Sequence, residues 1–224
     1  MARFTRIEVA LKMKETGMVP VFYNSDINVC KKVLKACYDG GARVFEFTNR
    51  GDRAHVIFEQ LITWAAEETP DMMIGVGSIL EGPTTALYIQ LGADFIVSPI
   101  LNEEMAKICN RRKISWSPGC GSVSEISKAE ELGAEVVKIF PGSSVGGPSF
   151  IKGVLGPCPW SSIMPTGGVT PTEDNLSQWI NAGAHCVGMG SQLMVKDSNN
   201  EFDYDAISAK TKDAMAIINK YRSK

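Results

Sequence analysis

The chain has 224 residues, with 23 Lys and Arg set against 25 Asp and Glu for a formal net charge of −2. This balance argues against a nucleic-acid-binding surface, and the length suits a single domain over residues 1–224 with a core that needs no staples. Cys30, Cys37, Cys109, Cys120, Cys158 and Cys186 form no C-x-x-C pair and read as buried thiols of a reducing cytoplasm, the N-terminus lacks an apolar signal core, and Gly, Pro, Ser and Asn break every long uncharged run, so no membrane span is expected.

Residues 5–16 predict a leading helix whose apolar positions Ile7, Ala10 and Leu11 read as a core face. Strands are then predicted at 19–22, 43–47, 73–76, 94–97, 114–117, 135–138, 162–165 and 185–188, and helical stretches such as 27–39, 53–68 and 81–91 alternate with them. Residues 205–221 predict the closing helix, with Ile207, Thr211, Ala214, Ile218 and Tyr221 at helical spacing. Gly41-Ala42, Gly92-Ala93, Gly133-Ala134 and Gly183-Ala184 each precede a strand, 51, 41 and 50 residues apart. That interval fits two βα units. Eight alternating strands predict an α/β fold, a closed (β/α)8 TIM barrel with a short N-terminal helix. The competing arrangement is an open doubly wound sheet, but no G-x-G-x-x-G follows the first strand.

Lys138 ends the apolar run Val136-Val137-Lys138-Ile139-Phe140-Pro141. An amine buried there loses its proton easily and can attack a ketone to form a Schiff base; a lysine reaching solvent is the plainer alternative. Counting five residues from the first Gly of each Gly-Ala pair lands on Glu46 and on Lys138. The two therefore occupy equivalent positions at the C-terminal ends of opposite strands, where barrel enzymes keep their chemistry. A structural Glu–Lys pair would give the same pattern.

Two late loops suggest an anion site. Thr166-Gly167-Gly168 follows the seventh predicted strand, and Gly190-Ser191 follows the eighth. Glycines let backbone N–H groups approach a phosphate, although such glycines also make tight turns. In Gly75-Val76-Gly77-Ser78 a hydroxyl could hold a carboxylate, with Arg50 supplying a guanidinium; a solvated arginine is the alternative. The only histidines, His55 and His185, cannot supply a zinc-aldolase cluster.

These residues carry a resemblance. The motifs are 40-GGARVFEFTNR-50, 75-GVGSIL-80, 95-FIVSP-99, 117-SPG-119, 138-KIFP-141 and 165-PTGGV-169. Through them the chain resembles the class I aldolases that cleave 2-keto-3-deoxy-6-phosphogluconate and 4-hydroxy-2-oxoglutarate, from Pro20-Val21 to about Met194. The resemblance implies that Lys138 forms the Schiff base and that Glu46 is the general acid/base. It implies that Arg50, Ser78, Pro99 and Thr166 line the substrate site and that Gly167, Gly168, Gly190 and Ser191 hold phosphate. It further implies cleavage to pyruvate and an aldehyde (glyceraldehyde 3-phosphate or glyoxylate), no cofactor, no metal, a sugar-acid substrate, a cytoplasmic setting and a homotrimer. Ser78 stands where many members have threonine, Asn49 where an apolar residue is usual, and Tyr23 where some place an arginine; the loop at 142–145 is less acidic than in some relatives. Two other readings of the same sites are a phosphate-binding barrel epimerase or synthase, and a non-catalytic sugar-phosphate binder.

Overall fold

In the computed structural model, which describes residues 2–222, Thr5 caps the first helix, α1 (Arg6–Thr16). Its hydroxyl accepts from the Glu8 N–H while the Glu8 carboxylate accepts from the Thr5 N–H, and Gly17 ends the helix at φ 74°. The expected apolar face is not the buried one. Ile7 and Leu11 are 65% and 62% exposed, whereas Val9, Met13 and Thr16 are buried. Those three sit at i, i+4 and i+7, a stripe as regular as the predicted one. Val9 and Met13 pack on Val19, Val44, Met73, Phe95, Val97, Val136, Met164 and Cys186. These lie in the strands or, for Val136 and Cys186, immediately before them, so α1 stoppers the N-terminal end of the sheet interior.

Strands and helices then alternate: β1 (Met18–Phe22), α2 (Ile27–Asp39), β2 (Val44–Thr48), α3 (Ala54–Glu68), β3 (Met73–Gly77), α4 (Gly82–Leu91), β4 (Phe95–Val97), α5 (Glu103–Arg112), β5 (Ser115–Ser117), β6 (Gly119–Cys120), α6 (Val123–Glu131), β7 (Val137–Ile139), α7 (Gly147–Leu155), β8 (Ile163–Pro165), α8 (Glu173–Asn181), β9 (Val187–Met189) and α9 (Tyr204–Arg222). Every ladder between these strands is parallel. Burial on both sides explains why they read as continuous apolar runs. The helices cover the outside. In α9, Ile207, Thr211, Ala214 and Ile218 are buried as expected, and the helix packs on α2 and α8.

The ladders show an α/β fold with a curled parallel sheet of six strands in the order β5-β4-β3-β2-β1-β9, a half-barrel, beside a three-stranded sheet β6-β7-β8. Among the described residues there are nine strand segments where eight were expected, because the fifth divides at Pro118. Proline has no N–H to give to a ladder. Ser117 still pairs with Val97 of β4, while the Pro118 carbonyl already accepts from Lys138 of β7 at 3.0 Å. On the other side, β8 and β9 meet through a bridge between Thr166 and Gly188 and a bond from the His185 N–H to the Ile163 carbonyl. The loop after β7 is short, since α7 begins at Gly147.

Candidate active site

The register between neighbouring strands decides which side chains share a face. Glu46 pairs with Val21 and Gly75, and Lys138 with Gly119 and Met164. Lys138 Nζ lies 3.9 Å from Glu46 Oε1, with both side chains buried. Gly77 makes room for this contact. A Cβ built on Gly77 would collide with the Glu46 carboxyl, so β3 must be bare at this point. Among the described residues, the second carboxyl oxygen, Glu46 Oε2, is buried without a hydrogen-bond partner.

Electrostatics follow from that burial. Desolvation holds the Lys138 amine below the ordinary lysine range and Arg50 pushes it the same way, while Glu46 opposes them. Desolvation raises the Glu46 carboxyl above the ordinary range, against Lys138 and Arg50. For both groups burial is the largest influence, and it shifts each toward its neutral form relative to the same group in water. At 3.9 Å the two groups lie within ion-pair reach but beyond a direct hydrogen bond.

By strand alternation Thr48 and Phe140 lie on the same faces as Glu46 and Lys138. Both line a cavity of about 740 Å³ at the C-terminal ends of the strands, and the Phe140 ring lies 5.0 Å from Lys138 Nζ. Arg50, Thr166, Gly167, Gly168, Gly190 and Ser191 line the same cavity. Ser78 and Pro99 do not. Ser78 reaches it through Arg50, whose Nε donates to Ser78 Oγ at 3.4 Å, and it takes the unusual φ of 61°. Pro99 stands one strand from Lys138, its carbonyl against Gly119.

Thr166 Oγ1 is buried without a partner and faces Gly188, where a Cβ would displace it. Gly167 and Gly168 have φ of 92° and 79°, a turn open to glycine. Among the described residues, the N–H groups of Gly167, Gly168, Gly190 and Ser191 donate to no protein acceptor. Donors so placed along one cavity suit an anion.

Several lining residues escaped the sequence reading as site residues: Thr170, Gln192, Met194, Lys196 and Phe202. They come from the segment after β9 and from the end of the Gly-Gly loop, and only tertiary contact places them here. Tyr23 also lines the cavity, its hydroxyl against Gly51. The unusual Asn49 accepts a hydrogen bond from the Tyr88 hydroxyl at 2.8 Å.

Residues 9–210 match the family model for KDPG and KHG aldolase. The chain belongs to the KDPG and KHG aldolase family. It is 32% identical to a 2-dehydro-3-deoxy-phosphogluconate aldolase of Pseudoalteromonas atlantica, over 89% of this chain and 90% of that one. It is 30% identical to the KHG/KDPG aldolase of Escherichia coli K12, over 88% and 90%. Among solved structures, a KDPG aldolase of Legionella pneumophila with pyruvate captured as a covalent carbinolamine superposes with a TM-score of 0.80 at 25% identity, covering 91% of this chain and 96% of that one. Among the described residues of this KDPG and KHG aldolase family member, no helix is long and apolar enough to cross a membrane.

Proposed function

We propose that this chain is a class I aldolase that cleaves 2-keto-3-deoxy-6-phosphogluconate or 4-hydroxy-2-oxoglutarate to pyruvate and an aldehyde through a Schiff base on Lys138. The observation that carries this reading is the buried amine 3.9 Å from a buried carboxyl, one in the middle of β7 and the other in the middle of β2 rather than at the strand ends expected from the sequence. The neutral Lys138 amine adds to the C2 ketone. Glu46 takes the proton that the Lys138 ammonium sheds and gives it to the departing carbinolamine hydroxyl; water leaves and an iminium remains. The Glu46 carboxylate then takes the C4 hydroxyl proton. The C3–C4 bond breaks, its electrons flow into the iminium, and the aldehyde departs. Glu46 returns the proton to C3 of the enamine, and water releases pyruvate from Lys138. Such acid–base assistance is worth roughly 10²–10⁴-fold.

In this reading Arg50 and Ser78 hold the substrate carboxylate, and Pro99 and Thr166 wall the keto-acid portion. Gly167, Gly168, Gly190 and Ser191 hold the phosphate or the second carboxylate. The two sheets act as one (β/α)8 ring, which the Pro118 junction and the Thr166–Gly188 bridge support. The chain works as a single domain and in the cytoplasm, in keeping with free thiols at all six cysteines. It forms a homotrimer, for which the exposed Leu80, Ile100 and Val123 beyond β3, β4 and β6 supply apolar surface in need of cover.

Borohydride reduction in the presence of pyruvate tests the chemistry. Wild type gains a pyruvyl adduct on Lys138, and Lys138→Ala gains none and cleaves nothing. An adduct of equal yield on Lys138→Ala, or none on wild type, overturns the assignment. An epimerase, a synthase or a passive binder would give no adduct.

A further inference from the structure

The cavity has an unbalanced charge. Arg50 and Lys196 are the two charged side chains that line it, and no carboxylate does. They belong to different ends. Arg50 follows β2 and acts electrostatically on both Glu46 and Lys138, whereas Lys196 stands in the segment after β9. Lys196 lies five residues past Ser191 in a short hairpin. Lys196 and Phe202 pair antiparallel, and the Asp197 N–H donates to the Glu201 carbonyl at 2.8 Å. The Phe202 ring packs edge-on against Phe22 at the end of β1, 5.3 Å between centroids. The hairpin is thus anchored to the sheet beside the glycine loops.

The Lys196 ammonium has no ion-pair partner. Its Nζ donates to Asn200 Oδ1 at 3.1 Å and rests 5.0 Å from the Phe202 ring centroid. Among the described residues no carboxylate comes within ion-pair distance of it. Asp197, its neighbour, is occupied by the N–H groups of Asn199 and Glu201. A lysine has a flexible four-carbon stem and three rotatable donors, and it shifts readily to a better acceptor. Backbone N–H groups alone give a phosphate dipoles but no countercharge, and a phosphate carries about −1.5 to −2.

We propose that Lys196 is a specificity-determining residue, the cation that pairs with the distal phosphate above the Gly167-Gly168 and Gly190-Ser191 loops. This rests on the aldolase reading and sharpens it: the preferred substrate class is a keto-acid with an anion at each end, one for Arg50 and one for Lys196. A substrate ending in a hydroxyl leaves Lys196 idle. Lys196→Met keeps the stem that covers Phe202 and removes only the charge. Lys196→Arg keeps the charge.

The test compares kcat/KM for 2-keto-3-deoxygluconate with and without its 6-phosphate, in wild type and both variants. Lys196→Met lowers the selectivity for the phosphorylated substrate by about 10- to 100-fold, the cost of one charge-assisted hydrogen bond, and the loss appears chiefly in KM. Lys196→Arg retains most of the selectivity. Inorganic phosphate, as a competing anion, inhibits wild type more strongly than Lys196→Met, and added salt narrows the difference. Equal losses on both substrates, or an unchanged ratio with unchanged phosphate inhibition, overturn the assignment while pyruvate trapping on Lys138 leaves the aldolase reading standing. Failure of wild type to trap pyruvate overturns both.

Discussion

At the scale of single residues, the site depends on what surrounds two titratable groups. The Glu46 charge favours the ammonium form of Lys138. Glu46→Gln removes that charge, so the Lys138 amine loses its proton at lower pH. The acid limb of the pH profile for pyruvate trapping therefore moves to lower pH, while turnover falls by roughly 10²-fold or more for want of a proton carrier. Rates of borohydride-trappable imine against pH measure this; a limb that stays in place, or moves up, contradicts the coupling. Gly77 gives a second case. Gly77→Ala puts a methyl where the Glu46 carboxyl lies, and misplacing a catalytic group by about 1 Å costs on the order of 10²-fold. We expect kcat to fall by that order while the adduct on Lys138 still forms. Normal turnover in Gly77→Ala would mean that Glu46 can work from elsewhere.

At the scale of elements, Lys138 and Glu46 were legible because parallel strands preceded by the same Gly-Ala turn share a register, and register fixes facing. The place of the glycine loops on the cavity was legible because both follow adjacent strands at the same end of the sheet. Helix faces were less so. In α1 the stripe Ile7-Ala10-Leu11 is as apolar as the true stripe Val9-Met13-Thr16, and nothing within the helix says which one faces the strands. Lys196 and Phe202 were illegible as site residues, since their place comes from Phe202 packing on Phe22, far away in the chain. The division at Pro118 was visible as a proline, but it ends one ladder and opens the next within a single strand, which no periodicity reveals. The α1 assignment has a direct test. Met13→Ala opens a cavity beneath the sheet and costs about 2–5 kcal/mol, whereas Leu11→Ser changes an exposed site and stays within about 0.5 kcal/mol. Urea midpoints of the two variants decide between the faces; the reverse order restores the stripe read from the sequence.

At the scale of the whole molecule, burial also controls the thiols. Cys30, Cys37, Cys109, Cys120 and Cys186 are buried and Cys158 is partly exposed. Burial pushes Cys37, Cys109, Cys120 and Cys186 up to about 12. A thiol reagent at neutral pH should therefore label Cys158 first in the native protein, with the others reacting only as the chain unfolds; mass mapping of the label checks the order. The ladders divide the molecule more deeply than the cysteines do. Glu46 belongs to the six-stranded sheet and Lys138 to the three-stranded one, so their 3.9 Å approach spans the line where the two sheets meet. Loosening at Pro118 or at the Thr166–Gly188 bridge widens that gap before any helix melts. Turnover should thus decline at lower urea than the far-ultraviolet circular dichroism signal, and coincident midpoints would show the two sheets parting only with the whole fold. In a nascent or half-assembled chain Lys138 is an ordinary hydrated ammonium, inert toward the ketones and aldehydes around it. On the proposed reading the nucleophile comes into being only when the two sheets close on each other, and the fold itself is the safety catch on a reactive amine.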